Sequence, residues 1–299
     1  MQRSDHAGAR VKPVIVAELG GSHLGSLMRA KLLVVAASGA GADAVKLQCF
    51  SPEQMCAPDH VLQDGPWKGR NLLDLYRQTH TPREWFQELF ALAKELEMVP
   101  FASVFHPDDV DFLMTLDCSM LKISSFELTD LDLIRHAART GKPLIISTGM
   151  ARRKEIENAL FAAYPASEEE MECPSELTLL KCTSAYPADA SDANLATMVD
   201  LVDIQAGGWS VGLSDHTPGI GVAVAAAALG ATMIEKHLTL RRSDGGPDAS
   251  FSMEPEEFTQ LVVECRRAAC AIGTVKYGPA ESEKPQVMLR RASGGKRGA

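Results

Sequence analysis

Eight short apolar runs, each followed by a segment of helical periodicity, recur along the 299-residue chain and constrain its fold more than any other feature. The runs fall at residues 13–19, 44–48, 99–103, 120–123, 144–147, 177–181, 211–214 and 233–237. They lack the alternation of a strand with one wet face, so each reads as a strand buried on both sides. Helical segments are predicted at 26–38, 82–97, 107–116, 131–140, 153–164, 194–204, 220–229 and 255–272. Gly141, Gly230 and Gly273 stand where a helix end favours a left-handed residue. Strand–helix alternation implies parallel β/α units, and eight of them predict a single α/β domain, a TIM (β/α)8 barrel, over residues 13–279. Polar tails at 1–12 and 280–299 are expected to be flexible. A doubly wound dinucleotide-binding sheet is the alternative, but Gly20-Gly21-Ser22-His23-Leu24-Gly25 lacks the G-x-G-x-x-G spacing and no Walker loop occurs.

One segment breaks the rhythm. Residues 50–80, with Pro52, Pro58 and the Gly65-Pro66-Trp67-Lys68-Gly69 turn, read as a long polar loop, and loops of this length usually cover or build a site. Thr81 as a cap and Pro82 at the first helical position then start the next helix.

With 45% hydrophobic and 23% charged residues, the chain is neither disordered nor collagen-like. Thirty Lys and Arg against thirty-nine Asp and Glu leave a net charge of -9, so no general basic field attracts nucleic acid or anionic lipid. An anionic ligand therefore needs locally placed cations. No apolar stretch is long enough to span a bilayer and the first twelve residues lack a signal-peptide core, which predicts a cytoplasmic protein. Seven cysteines without a C-x-x-C pair argue against a disulfide framework or zinc knuckle. They read as small buried hydrophobes, with a nucleophilic Cys182 as the alternative.

A barrel carries its chemistry at the C-terminal ends of its strands. There the sequence places Glu18, Lys46 with Gln48, Ser103, Lys122 with Ser124 and Ser125, Ser147 with Thr148, Lys181 with Thr183, Ser214 with Asp215 and His216, and Glu235 with Lys236 and His237. A lysine inside a fully buried strand costs several kcal/mol unless an anion meets it. Lys46 and Lys122 therefore imply either a negatively charged ligand or internal pairing with Glu18 and Glu235. Ser103, Ser125, Ser147 and Ser214 supply the neutral donors that complete a phosphate or carboxylate site.

His216 and His237 end adjacent predicted strands, about 5 Å apart, so both imidazoles can reach one divalent metal while other positions stay open to water and substrate. Manganese, iron, cobalt and zinc all suit such donors. His6, His60, His80, His106 and His136 read as solvated or capping side chains, whereas His23 is placed to orient Glu18 or bind substrate.

These motifs together resemble the phosphoenolpyruvate-dependent sialic acid synthases. The matching segments are Ala17-Glu18-Leu19-Gly20 with His23 and Gly25, the run from Gly41 to Gln48, Lys122-Ile123-Ser124-Ser125, Ile146-Ser147-Thr148-Gly149-Met150, Ser214-Asp215-His216-Thr217 and Glu235-Lys236-His237. Within that family, Gly65-Pro66-Trp67-Lys68-Gly69-Arg70, Ser125-Phe126-Glu127, the run from Lys181 to Pro187 and the run from Gly245 to Ser252 resemble the pseudaminic acid branch.

The resemblance implies a metal-dependent condensation of phosphoenolpyruvate with an amino-sugar aldehyde, such as a diacetamido-trideoxyhexose, giving a 3-deoxy-2-keto (nonulosonic) acid and phosphate. It implies that His216 and His237 bind the metal, manganese with magnesium or cobalt as substitutes, and that Lys46, Ser103, Lys122, Ser125, Ser147 and Ser214 hold phosphoenolpyruvate. Glu18 would take the proton of the attacking water, while Gln48, Tyr186 and Asp248 would face the sugar. A homodimer is implied as well. Ser22 and Val104 depart from the usual Asn and Pro of the family. Family members usually continue into an antifreeze-like domain, and this chain ends where that linker would begin, so the expectation is either a barrel without it, with a separate lid or partner protein as one replacement, or a sequence cut short of that domain. The rival readings are the same condensation on a different aldehyde, a non-catalytic barrel that binds an acidic sugar or a partner, and Schiff-base chemistry at Lys122 or Lys181.

Overall fold

The computed structural model describes residues 12–164, 173–204 and 209–291. Eight strands close into a parallel barrel in sequence order: β1 (Val14–Glu18), β2 (Ala44–Cys49), β3 (Val99–Val104), β4 (Leu121–Ile123), β5 (Leu144–Ser147), β6 (Leu177–Cys182), β7 (Ser210–Asp215) and β8 (Met233–His237). β8 returns to β1 with Glu18 opposite His237, and β1 sets Glu18 opposite Lys46 of β2. The first and last strands thus bring three chemically active side chains side by side. The predicted α/β barrel is the observed one.

Among the described residues eight helices pack outside, one after each strand: α1 (Leu27–Gly39), α4 (Arg83–Glu95), α5 (Pro107–Thr115), α6 (Leu131–Ala138), α7 (Arg153–Ala163), α8 (Leu195–Leu201), α9 (Gly221–Ala228) and α10 (Pro255–Ile272). Their starts follow local chemistry. Ser26 caps α1 by accepting the Arg29 N–H, and Asp130 caps α6 by accepting that of Leu133. At α5 the His106 ring accepts the Asp108 N–H while the Asp109 carboxylate accepts that of His106, so His106 is the capping residue expected. Pro82 is the N-cap of α4 rather than its first helical residue, which moves that start one position from the prediction. Gly141, Gly230 and Gly273 all have positive φ.

The segment between β2 and α4 differs from the expected loop. It contains α2 (Pro52–Met55) and α3 (Leu72–Thr79), the latter capped by Asn71, which accepts the Asp74 N–H. Leu73, Leu75 and Thr79 of α3 are buried, and the flanking turn residues obscure this short helix in the sequence.

Apolar side chains from the strands and the helices make one core, with Phe86, Phe101, Phe258, Leu33 and Leu113 fully buried. At Gly212 of β7 a Cβ would lie 2.2 Å from the Met233 carbonyl oxygen, so only glycine fits where β7 and β8 approach. This barrel unit ends at Ala271. A second unit begins at Ile272, and its described part ends in a run of 3-10 turns over Glu281–Leu289. The tail expectations for 1–11 and 292–299 lie outside the described residues. Among the described residues, no helix is long and apolar enough to cross a membrane.

Candidate active site

The C-terminal strand ends open into a cavity of about 380 Å³. Every one of the twelve predicted site residues lines it: Glu18, Lys46, Gln48, Ser103, Lys122, Ser125, Ser147, Tyr186, Ser214, His216, His237 and Asp248. Alternation along each strand explains this, because residues two apart face the same side and the inward positions are the polar ones.

Two lysines form the floor. Lys46 lies 2.7 Å from Glu18 Oε2 and 3.5 Å from Glu235 Oε1, and donates to Ser103 Oγ at 2.8 Å. The internal pairing weighed from the sequence is therefore real for Lys46. Lys122 instead donates to Ser147 Oγ at 2.6 Å and to its neighbour's carbonyl, Ile123 O, at 3.1 Å. Burial lowers its pKa, although the charges of Glu235 and Glu18 oppose that shift. An anion between the two ammonium groups would relieve this cost. Lys46 moves the other way, since its two carboxylates outweigh burial and raise it.

Glu18 also accepts hydrogen bonds from Gly20 N and Gln48 Nε2, both at 2.9 Å. Burial pushes its carboxyl up despite Lys46. Glu235 is equally buried, but Lys46 and Lys122 together overcome the burial and hold it below the usual carboxylate range. The two acids therefore part in protonation behaviour, as paired acid–base groups do. The sequence placed Glu235 at a strand end and as a partner for lysine without giving it a role; its place in the cavity follows from its register opposite Ser214, whose Oγ donates to it at 3.3 Å.

The two histidines meet as expected, with ring centroids 5.4 Å apart. His216 Nδ1 donates to the Thr183 carbonyl oxygen at 2.9 Å, which leaves Nε2 with its lone pair. His237 Nδ1 is buried without a hydrogen-bond partner among the described residues, and burial holds that imidazole neutral. Burial opposes charge on His216 too, but Cys182, the Thr183 carbonyl and Glu235 outweigh it and raise that imidazole. A divalent metal would displace its proton, and the two ring nitrogens, one of them orphaned, fit such a metal with further ligands from water and substrate. Among the described residues no group of three or more His, Cys, Asp or Glu assembles around one point.

Cys182 is a site residue the sequence reading set aside. Its thiol lies 3.8 Å from His216 Nδ1 and lines the cavity; burial would raise its pKa, but the hydrogen bond to His216 draws it down to about 7. His23 corrects the other way. It neither touches Glu18 nor lines the cavity: Nε2 donates to Thr79 O at 3.1 Å, Nδ1 accepts Gly25 N–H at 3.1 Å, and the ring meets Trp85 edge-on. Its role is to tie the first loop to the end of α3. Lys181 bonds to Cys182 O and Thr183 Oγ1 and does not line the cavity.

Above the floor the walls turn aromatic. Trp67 donates to Pro247 O at 3.0 Å, joining the long insertion to the loop after β8, and its ring tilts over Tyr186. Tyr186 in turn stacks at 4.4 Å on His216 and at 5.1 Å on Phe251. Asp248 accepts the Gly21 N–H at 2.8 Å, and burial raises its carboxyl to about 6. Gly20 makes this approach feasible, because a Cβ there would sit 2.3 Å from Asp248 Oδ2.

A closed (β/α)8 barrel whose strand ends gather two buried lysines, two carboxylates and two histidines around one cavity has the architecture of an enzyme barrel. Known proteins narrow the class. The model of the NeuB family matches residues 33–277. A pseudaminic acid synthase from Helicobacter pylori is 42% identical over 284 residues, covering 93% of this chain and 81% of that protein. An N,N'-diacetyllegionaminic acid synthase from Legionella pneumophila is 35% identical over 292 residues, covering 95% and 80%. The crystal structure of an N-acetylneuraminic acid synthetase from Leptospira borgpetersenii, in complex with citrate, superposes with a TM-score of 0.80 at 30% identity, covering 94% of this chain and 92% of that one. The chain belongs to the NeuB family.

Proposed function

We propose that this enzyme condenses phosphoenolpyruvate with an amino-sugar aldehyde, a diacetamido-trideoxyhexose of the pseudaminic acid type, to a 3-deoxy-2-keto acid and phosphate. The observation that carries the reading is the convergence of Lys46, Lys122 and the hydroxyls of Ser103, Ser147 and Ser214 beside the His216–His237 pair in one cavity. A trianionic enol phosphate supplies the charge that Lys122 lacks and competes with Glu18 and Glu235 for Lys46. Ser125, whose Oγ accepts the Gly149 N–H at 3.0 Å, lies at the same rim of the anion cradle.

His216 and His237 would hold a divalent metal, manganese for preference, which when bound polarises the aldehyde as a Lewis acid. The lysines and hydroxyls orient the enol so that its C3 attacks the aldehyde carbon while the wall of Tyr186 and Phe251 keeps bulk water out. Water then adds at C2, and Glu18 takes its proton. The C–O bond to phosphorus-bearing oxygen breaks and phosphate leaves, so the carbon skeleton and one water account for both products. Asp248 and Gln48 face the space above the floor and would bond sugar hydroxyl or amide groups. A net charge of -9 and two polar substrates fit operation away from a membrane.

Phosphate release measured with manganese and a panel of acceptor aldehydes, with product mass as the second readout, tests this. Release that depends on a diacetamido-trideoxyhexose and yields a mass equal to both substrates plus water minus phosphoric acid is expected. Absence of release with every aldehyde, while metal and phosphoenolpyruvate both bind, would reduce the barrel to a binding module.

A further inference from the structure

The outer wall directly behind the two histidines carries an ion pair that the reaction itself does not use. Asp215 and Lys236 are register partners across β7 and β8, and they point outward because their neighbours Ser214 and Glu235 line the cavity. Both are almost fully buried, at 2% and 1% exposure. Lys236 Nζ donates to Asp215 Oδ2 at 2.7 Å and to the Thr217 carbonyl at 2.6 Å. Asp215 Oδ1 accepts the Thr217 N–H at 2.9 Å and its hydroxyl at 2.8 Å. Cys265 of α10 lies close by: its burial first, and then the Asp215 charge, push that thiol up to about 12.

His216 therefore sits between two residues that are both fastened to β8, and the residue that fastens them immediately precedes His237. Among the described residues His237 Nδ1 has no polar partner, so the position of that ring relative to His216 depends on its backbone. A buried ion pair adds little stability over an apolar pair of equal volume, and setting register is its best-attested use. We propose that Asp215, Lys236 and Thr217 form a positioning staple that sets the separation of His216 and His237, and thereby the affinity of the pair for a divalent metal.

This inference rests on the reading of the histidines as metal ligands, and one titration separates the two. Manganese affinity is measured from the EPR signal of the free ion for the wild-type protein, for the Asp215→Leu/Lys236→Met double variant and for Thr217→Val. The double variant leaves no uncompensated charge, so its metal-free melting temperature should stay within a few degrees of wild type. Its manganese affinity should fall 10- to 100-fold, the usual effect of losing support behind a metal ligand. Thr217→Val, which keeps the ion pair, should lose less. Wild-type affinity in a folded double variant overturns the staple, and so does wild-type affinity in Thr217→Val should the double variant fail to fold. A wild-type protein that binds no manganese overturns the metal reading itself.

Discussion

Lys46 is held by the carboxylate proposed to act as the base, Glu18, at 2.7 Å. Glu18→Gln removes the proton acceptor and frees the lysine, so turnover should drop by about 10²- to 10⁴-fold while phosphoenolpyruvate binds at least as tightly. Steady-state phosphate release together with calorimetric binding checks both halves, and parent-like turnover would exclude Glu18 as base. His23 makes a different prediction. Burial lowers its pKa from 6.5 to about 4, so the unfolded chain takes up a proton that the folded one refuses. The stability that its neutral ring contributes is fully present above pH 6.5 and is lost as pH falls toward 4. Urea midpoints of wild type and His23→Gln should converge over that interval. Lysines in apolar runs announced their places in the sequence because burying them needs a reason. Cys182 and Glu235 gave no such signal: a cysteine beside leucines looks like core, and which face Glu235 takes depends on register with β7.

The strands were readable because doubly buried parallel strands leave uninterrupted apolar runs, and the helices because caps and glycines bound them. The insertion was not. Its turn residues hide α3, whose burial depends on α2 and the first loop rather than on its own length. Asn71→Ala removes the cap of α3 and should cost about 1 kcal/mol locally. Faster hydrogen exchange over 72–79, with a raised KM for the aldehyde and an unchanged KM for phosphoenolpyruvate, is the expected pattern, since Leu72, Leu75 and Tyr76 line the upper cavity and the lysines lie below.

At the scale of the molecule, closure of the barrel leaves no free strand edge among the eight, and its axis is filled rather than hollow. Phe101, fully buried one inward position before Ser103, is part of that filling. Phe101→Ala should destabilise the protein by about 3–5 kcal/mol, read as a shift in the denaturant midpoint, and should weaken anion binding through Ser103.

A filled axis also means that the lysine floor has no rear outlet. On the proposed function traffic would queue: the enol phosphate would go down before the aldehyde blocks its way, and inorganic phosphate would climb out only once the sugar acid above it has departed. Product-inhibition kinetics should therefore show inorganic phosphate competing with the first arrival and not with the second.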